Sequence, residues 1–210
     1  MPRSNEREYR AVAMTMRARD EPAEEEKRVH GYATTFGAPY ELYRSGNYTV
    51  MEQVDPHAFD EADLTDVIMQ FDHAGRVYAR TRNNTLELSV DEHGLAIEAD
   101  LSKTEAASEL YDEIRAGMID RMSYGFTVAK DEWTTIKDND SGQVTELRTI
   151  KSVRKVYDVS AVSYPANGGT SIATRTLCDG VIEQRKAERL KEERARMHIT
   201  LRLRLMEGLK

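Results

Sequence analysis

A mainly β (α+β) fold is predicted, and three observations predict it. Apolar and polar residues alternate in several segments of strand length. Only one segment before residue 180 carries clear helical spacing, and turn-forming residues separate the segments at short intervals. Residues 8–17 (EYRAVAMTMR) place Val12, Met14 and Met16 on one face, the period-two pattern of a half-buried strand. An acidic loop with Pro22 follows, and 29–36 returns as a second strand. Residues 37–48 carry glycines, a proline and Asn47, so a loop is expected there. The run 67–71 has strand length. Leu86, Leu88 and Val90 alternate, as do Leu95, Ile97, Ala99 and Leu101, with DEHG (91–94) as the hairpin turn. A helix is expected after a cap at Ser102 or Thr104, because Ala107, Leu110, Tyr111, Ile114 and Met118 recur at three- and four-residue spacing. Gly117 suits a left-handed residue at its end. Then come a strand around Ser123, a charged loop at 137–142, and strand segments at 144–150 and 155–163.

At 210 residues the chain is expected to form one main domain, since all-β domains reach this length undivided. Residues 1–27 form an N-terminal strand and acidic loop packed on that domain, 28–179 the domain itself, and 180–210 a charged tail. Composition, 40% hydrophobic and 32% charged, suits a solvated body with a core. No run approaches the ~20 apolar residues that cross a bilayer, and the first ten residues carry charges without the apolar stretch of a secretory leader. The single cysteine, Cys178, excludes an internal disulfide framework and fits a reducing compartment. Residues 183–210 hold nine Lys/Arg and five Glu, a local +4 in a chain of −7, so residues 1–182 carry −11. An acidic body lacks the basic face of a nucleic-acid enzyme. Metal ligation has no support from one cysteine and no H-E-x-x-H, and a nucleotide has none without a Walker loop or G-x-G-x-x-G, so no cofactor is expected.

Three residues set in apolar runs are candidates for chemistry: His73 in FDHAG, Ser123 in RMSYGF and Asp158 in VYDVSAVSYPAN. A serine hydroxyl becomes a useful nucleophile when a base takes its proton and an acid fixes the tautomer of that base. Along its strand Ser123 lies opposite the bulky row of Met122, Tyr124, Phe126 and Val128, with Gly125 leaving space beside it. An exposed serine on a half-buried strand reads the same way. Asp158 in an apolar strand needs a partner for its charge; a histidine is one, and backbone or Arg154 another. Asp72 rivals Asp158 as the orienting acid. The chain order His–Ser–Asp differs from that of chymotrypsin-like enzymes, subtilisins and α/β-hydrolases, and Arg121 stands where a G-x-S-x-G elbow needs glycine. An esterase on those scaffolds is therefore disfavoured.

Seven segments in one order carry a resemblance: HGYATTFG (30–37), EQVDPHAF (52–59), FDHAG, ARTRNNTLEL (79–88), DEHGLAIEADL (91–101), RMSYGF and DVSAVSYPAN. Together they resemble the prohead (procapsid maturation) serine proteases of tailed phages, which are similar in fold to the herpesvirus assemblins. The resemblance implies a closed or partly open β-barrel with a few surrounding helices. It implies an endopeptidase acting on the major capsid protein, on scaffold segments and on itself, first in the bacterial host cytoplasm and then inside the prohead. His73, Ser123 and Asp158 fall at the family's catalytic positions, and Arg154 or the Asn167–Gly168 stretch would serve the oxyanion. Self-association is a further expectation, whereas specific nucleic-acid or membrane partners are not expected. A non-catalytic assembly protein keeping the same fold is the alternative. The tail would be a helix over 180–197, continued as helix or strand, that binds a partner and is trimmed by the enzyme.

Overall fold

The computed structural model describes residues 7–15, 17–18, 27–163, 181–192, 194–195 and 197–199. It divides into two units, 1–177 and 178–210. In the second, 181–192 are helical, as their spacing predicts. Cys178, Asn167 and Gly168 lie outside the described residues, as do 200–205 of the tail's alternating stretch.

The first unit is mainly β and has one α-helix among its described residues. Its strands are β1 (Glu8–Thr15), β2 (Arg17–Ala18), β3 (Arg28–Thr35), β4 (Tyr40–Ser45), β5 (Tyr48–Val54), β6 (Ile68–Phe71), β7 (Ala74–Arg80), β8 (Leu86–Val90), β9 (Gly94–Asp100), β10 (Arg121–Lys137) and β11 (Val144–Val162), with α1 at Glu105–Arg115. One sheet has the order β1-β10-β11-β5-β4, with β6 and β7 added beside the far half of β11; the other has the order β2-β3-β9-β8. Among the described residues these ladders do not close a barrel.

Two strands organise the larger sheet. β10 and β11 pair antiparallel over almost their whole length. The other edge of β11 is shared: its first half pairs in parallel with β5 and its last residues, Asp158–Ala161, with β6. β11 runs unbroken through 151–154, which the sequence pattern leaves between two strands. Residues 37–48 are not a loop, because Tyr40–Ser45 pair with β5. An irregular register between Glu41 and Tyr43 spoils the period-two pattern there, and the flanking glycines obscure what remains.

Local chemistry explains the elements around the core. Thr104 caps α1, its Oγ1 accepting from the Ala107 N–H at 3.1 Å. Ala107, Leu110, Tyr111 and Ile114 are the helix's buried stripe. Gly117 follows at φ 72°, a left-handed position that glycine occupies without a steric cost. Asp91 organises the β8–β9 hairpin by accepting from the amides of His93 (2.8 Å) and Gly94 (2.9 Å). The core gathers Val29, Leu95, Ile97 and Ala99 of one sheet, Met122, Tyr124, Phe126, Val156 and Val159 of the other, and the α1 stripe. Residues 122–127 of β10 are buried on both faces, so Ser123 is not the exposed serine of a half-buried strand.

Candidate active site

The register of the larger sheet aligns two rows that share a face. Ala11, Ser123, Ser160 and Gln70 form one, and Tyr9, Gly125, Asp158 and Ile68 the next. Serine and aspartate therefore arrive on neighbouring strands, diagonal to each other.

The histidine comes from a turn. β6 and β7 pair through Phe71 and Ala74, leaving Asp72 and His73 as a two-residue hairpin loop with φ of 49° and 58°. Two consecutive left-handed residues are the signature of a type I′ turn, which normally uses Asn-Gly. Asp and His tolerate that region better than most residues, but the conformation still costs about 1 kcal/mol or more per residue. Asp72 offsets part of that cost. Its Oδ1 accepts from the Ser163 N–H (3.0 Å) and its Oδ2 from the Ser163 hydroxyl (2.9 Å), while its own N–H donates to Ala161 O (2.9 Å). Asp72 is thus occupied in clamping the turn to the end of β11.

The carboxylate that meets His73 is that of Asp158. His73 Nδ1 lies 2.5 Å from Asp158 Oδ1, and His73 Nε2 lies 2.6 Å from Ser123 Oγ. A carboxylate only accepts, so Nδ1 carries the proton; the Nε2 lone pair then faces the hydroxyl, the tautomer a general base needs. Ser123 and Asp158 are each 1% exposed, while the His73 side chain is 13% exposed. Burial weakens solvent screening and strengthens each of these polar contacts.

Sequence pattern missed the groups around the triad. The Ser160 hydroxyl donates to Asp158 Oδ1 at 2.8 Å. Tyr9 sets its ring edge-on to His73, with centroids 4.5 Å apart. Arg7 Nη1 approaches Asp158 Oδ2 at 3.8 Å, and its guanidinium lies 3.9 Å from the centre of the Tyr157 ring. Gly125 is required here, because a Cβ at that position would meet both Asp158 Oδ2 and the Tyr9 ring. No local signal marks Tyr9, whose role depends on a register 116 residues away in sequence.

Arg154 makes no hydrogen bond or ion pair with His73, Ser123 or Asp158. It is exposed on β11, four residues from Asp158, or about 13 Å at the usual strand rise. The other histidines also stand apart: His57 is an exposed partner of Asp60, and His93 lies in the β8–β9 turn. A groove of about 510 Å³ on the smaller sheet, lined by Tyr32, Leu64, Leu88 and Ile97 among others, shares no residue with the site. No cluster of metal ligands occurs among the described residues.

A serine, a histidine and an aspartate joined in this way point to a serine hydrolase, and comparison with known proteins names the family. A family model described as the caudovirus prohead serine protease matches residues 13–185. The chain belongs to that family. His73, Ser123 and Asp158 fall within the matched span, whereas Arg7 and Tyr9 precede it. The prohead protease of Enterobacteria phage HK97 is a relative, 30% identical over 102 residues. That alignment covers 48% of this chain and 42% of the relative, so less than half of the relative's length is matched. No solved structure matches the chain.

Proposed function

We propose that the chain is a serine endopeptidase of phage head maturation, working through a His73–Ser123–Asp158 triad. The observation that carries the reading is the bridging imidazole, 2.6 Å from the serine on one side and 2.5 Å from the carboxylate on the other. His73 takes the Ser123 proton as Oγ bonds to the scissile carbonyl carbon, and Asp158 stabilises the imidazolium. The proton then passes to the departing amine as the C–N bond breaks, leaving an acyl-enzyme. Water, deprotonated by His73, hydrolyses that ester and restores the serine. Preplaced donors must meet the oxyanion, and Arg154, Asn167 and Gly168 are the candidates for that role. Family membership supports capsid protein and scaffold segments as substrates, the chain itself as another, and action in the host cytoplasm and then within the prohead. A partly open, assemblin-like barrel and self-association belong to the same proposal.

A non-catalytic assembly protein is the second reading. It would have no use for an imidazole held in a costly turn with its basic nitrogen on a serine. Labelling of purified protein with a fluorophosphonate, beside co-expression with the cognate capsid protein, separates the two. Wild type is expected to label and to cut; Ser123→Ala is expected to do neither while staying folded. Cleavage by Ser123→Ala at the wild-type rate would refute the nucleophile.

A further inference from the structure

The N-terminal strand supplies side chains to a site whose reacting groups all come from β10, β11 and the β6–β7 turn. β1 presents two faces. Glu8 and Arg10 enter a buried ionic cluster: Arg10 Nε and Nη2 donate to Glu52 at 2.5 and 3.0 Å, and Arg148 Nη1 and Nη2 donate to Glu8 at 2.6 and 2.9 Å. Arg148 also donates to Glu52 (2.8 Å) and Asp131 (2.7 Å), and Arg10 Nη1 donates to the carbonyl of Tyr9 itself (2.9 Å). By the period of two, the alternate residues Arg7 and Tyr9 point to the triad face.

On that face Tyr9 faces Gly125 across the ladder. With no Cβ there, the phenol ring occupies the gap between Gly125 and His73, its edge to the imidazole. The ring therefore blocks one direction in which the imidazole can tilt away from Ser123. Asp158 Oδ2 is buried and has no hydrogen-bond partner among the described residues; Arg7 is the cation near it. Arg7 is 42% exposed and donates to the Tyr9 hydroxyl at 3.4 Å, so solvent screens its charge and the ring carries the larger part.

We propose that Tyr9, assisted by Arg7, is a positioning residue for the His73–Asp158 pair, so that β1 completes the active site. This rests on the triad reading above. Imidazole, serine and carbonyl must align closely for attack, and a displacement of about 1 Å costs roughly 100-fold in rate. The charged group that meets His73 among the described residues is Asp158 from β11, with Arg7, just before β1, behind it; Asp72 is turned to Ser163.

The test uses the full chain, a fluorophosphonate probe and thermal melting, with wild type, Tyr9→Ala, Tyr9→Phe, Arg7→Ala and Ser123→Ala side by side. Ser123→Ala is expected to take no label, and labelling of it would refute the triad reading itself. Tyr9→Ala is expected to lose about 10- to 100-fold in the maximal acylation rate, with little change in half-saturating probe concentration. Tyr9→Phe, which keeps the ring, is expected to recover most of that rate, and Arg7→Ala to lose less than Tyr9→Ala. Wild-type acylation by folded Tyr9→Ala, beside unlabelled Ser123→Ala, would overturn the proposal. Should Tyr9→Ala melt too low to assay, a Tyr9→Phe enzyme slowed 10-fold or more would overturn the role of the ring.

Discussion

Two buried polar constellations sit on opposite faces of β1, and they are built to different rules. Around Glu52 nearly every charge meets its opposite. Glu52 lies between Arg10 and Arg148, with the Tyr40 hydroxyl donating to it at 2.6 Å, and Arg148 reaches Glu8 and Asp131 as well. Around His73 the contacts are few: one acid, one serine, a ring edge and a carboxylate oxygen without a hydrogen bond among the described residues. The first arrangement has no proton to move and no group left to act. The second holds its histidine on a two-residue left-handed turn, with a lone pair aimed at a hydroxyl. Saturation suits a structural cluster, and incomplete saturation with retained strain suits the function proposed for the other.

Substitution of one member from each constellation should separate their roles. Asp158→Asn is expected to fold yet lose about 10⁴-fold in kcat/KM, because an amide can donate to the imidazole and favour the wrong tautomer. Full activity in that variant would send the search to another acid. Glu52→Gln should do the opposite, destabilising the protein by about 3–5 kcal/mol, because two buried guanidinium groups lose their shared counter-charge. Urea unfolding measures this, and an unchanged midpoint would mean that the cluster carries no net stability.

Acid supplies a smaller and graded test. Burial by itself would raise the Glu52 carboxyl, but Arg10 and Arg148 override it and lower its pKa from 4.5 to about 2. Since the folded value is the lower one, this contribution is fully present above about 4.5 and is lost as pH falls through about 2. It amounts to about 3 kcal/mol for a shift of this size. Wild-type stability should therefore decline across that window more steeply than that of Glu52→Gln. Parallel curves would remove Glu52 as the acid-sensitive group.

The elements easiest to find from sequence were those whose cause is local. Thr104 and the Ala107–Ile114 stripe mark α1 within eleven residues, and the alternation on both sides of DEHG marks β8 and β9, because caps, turns and periodicities act between near neighbours. β4 escaped because an irregular register hid its alternation. The three triad residues stood out as polar groups in apolar runs, and the resemblance singled them out as a set. Strand alternation does not separate Asp158 from Asp72, because Asp72 lies in a turn. What distinguishes them is the pair of bonds from Asp72 to Ser163, 91 residues further on.

By itself, then, the sequence determined the mainly β class, the helix and its cap, the hairpin at Asp91 and the polar residues placed in apolar segments. Those follow from interactions spanning a few residues. Tertiary structure alone decided that β11 divides one edge between β5 and β6, that His73 reaches Ser123 and Asp158 from a strained turn, and that β1 lays Tyr9 beside the imidazole while burying Arg10 against Glu52. Each depends on strand register between segments 42 to 116 residues apart, and register is chosen by the packing of the whole sheet, which no local pattern encodes.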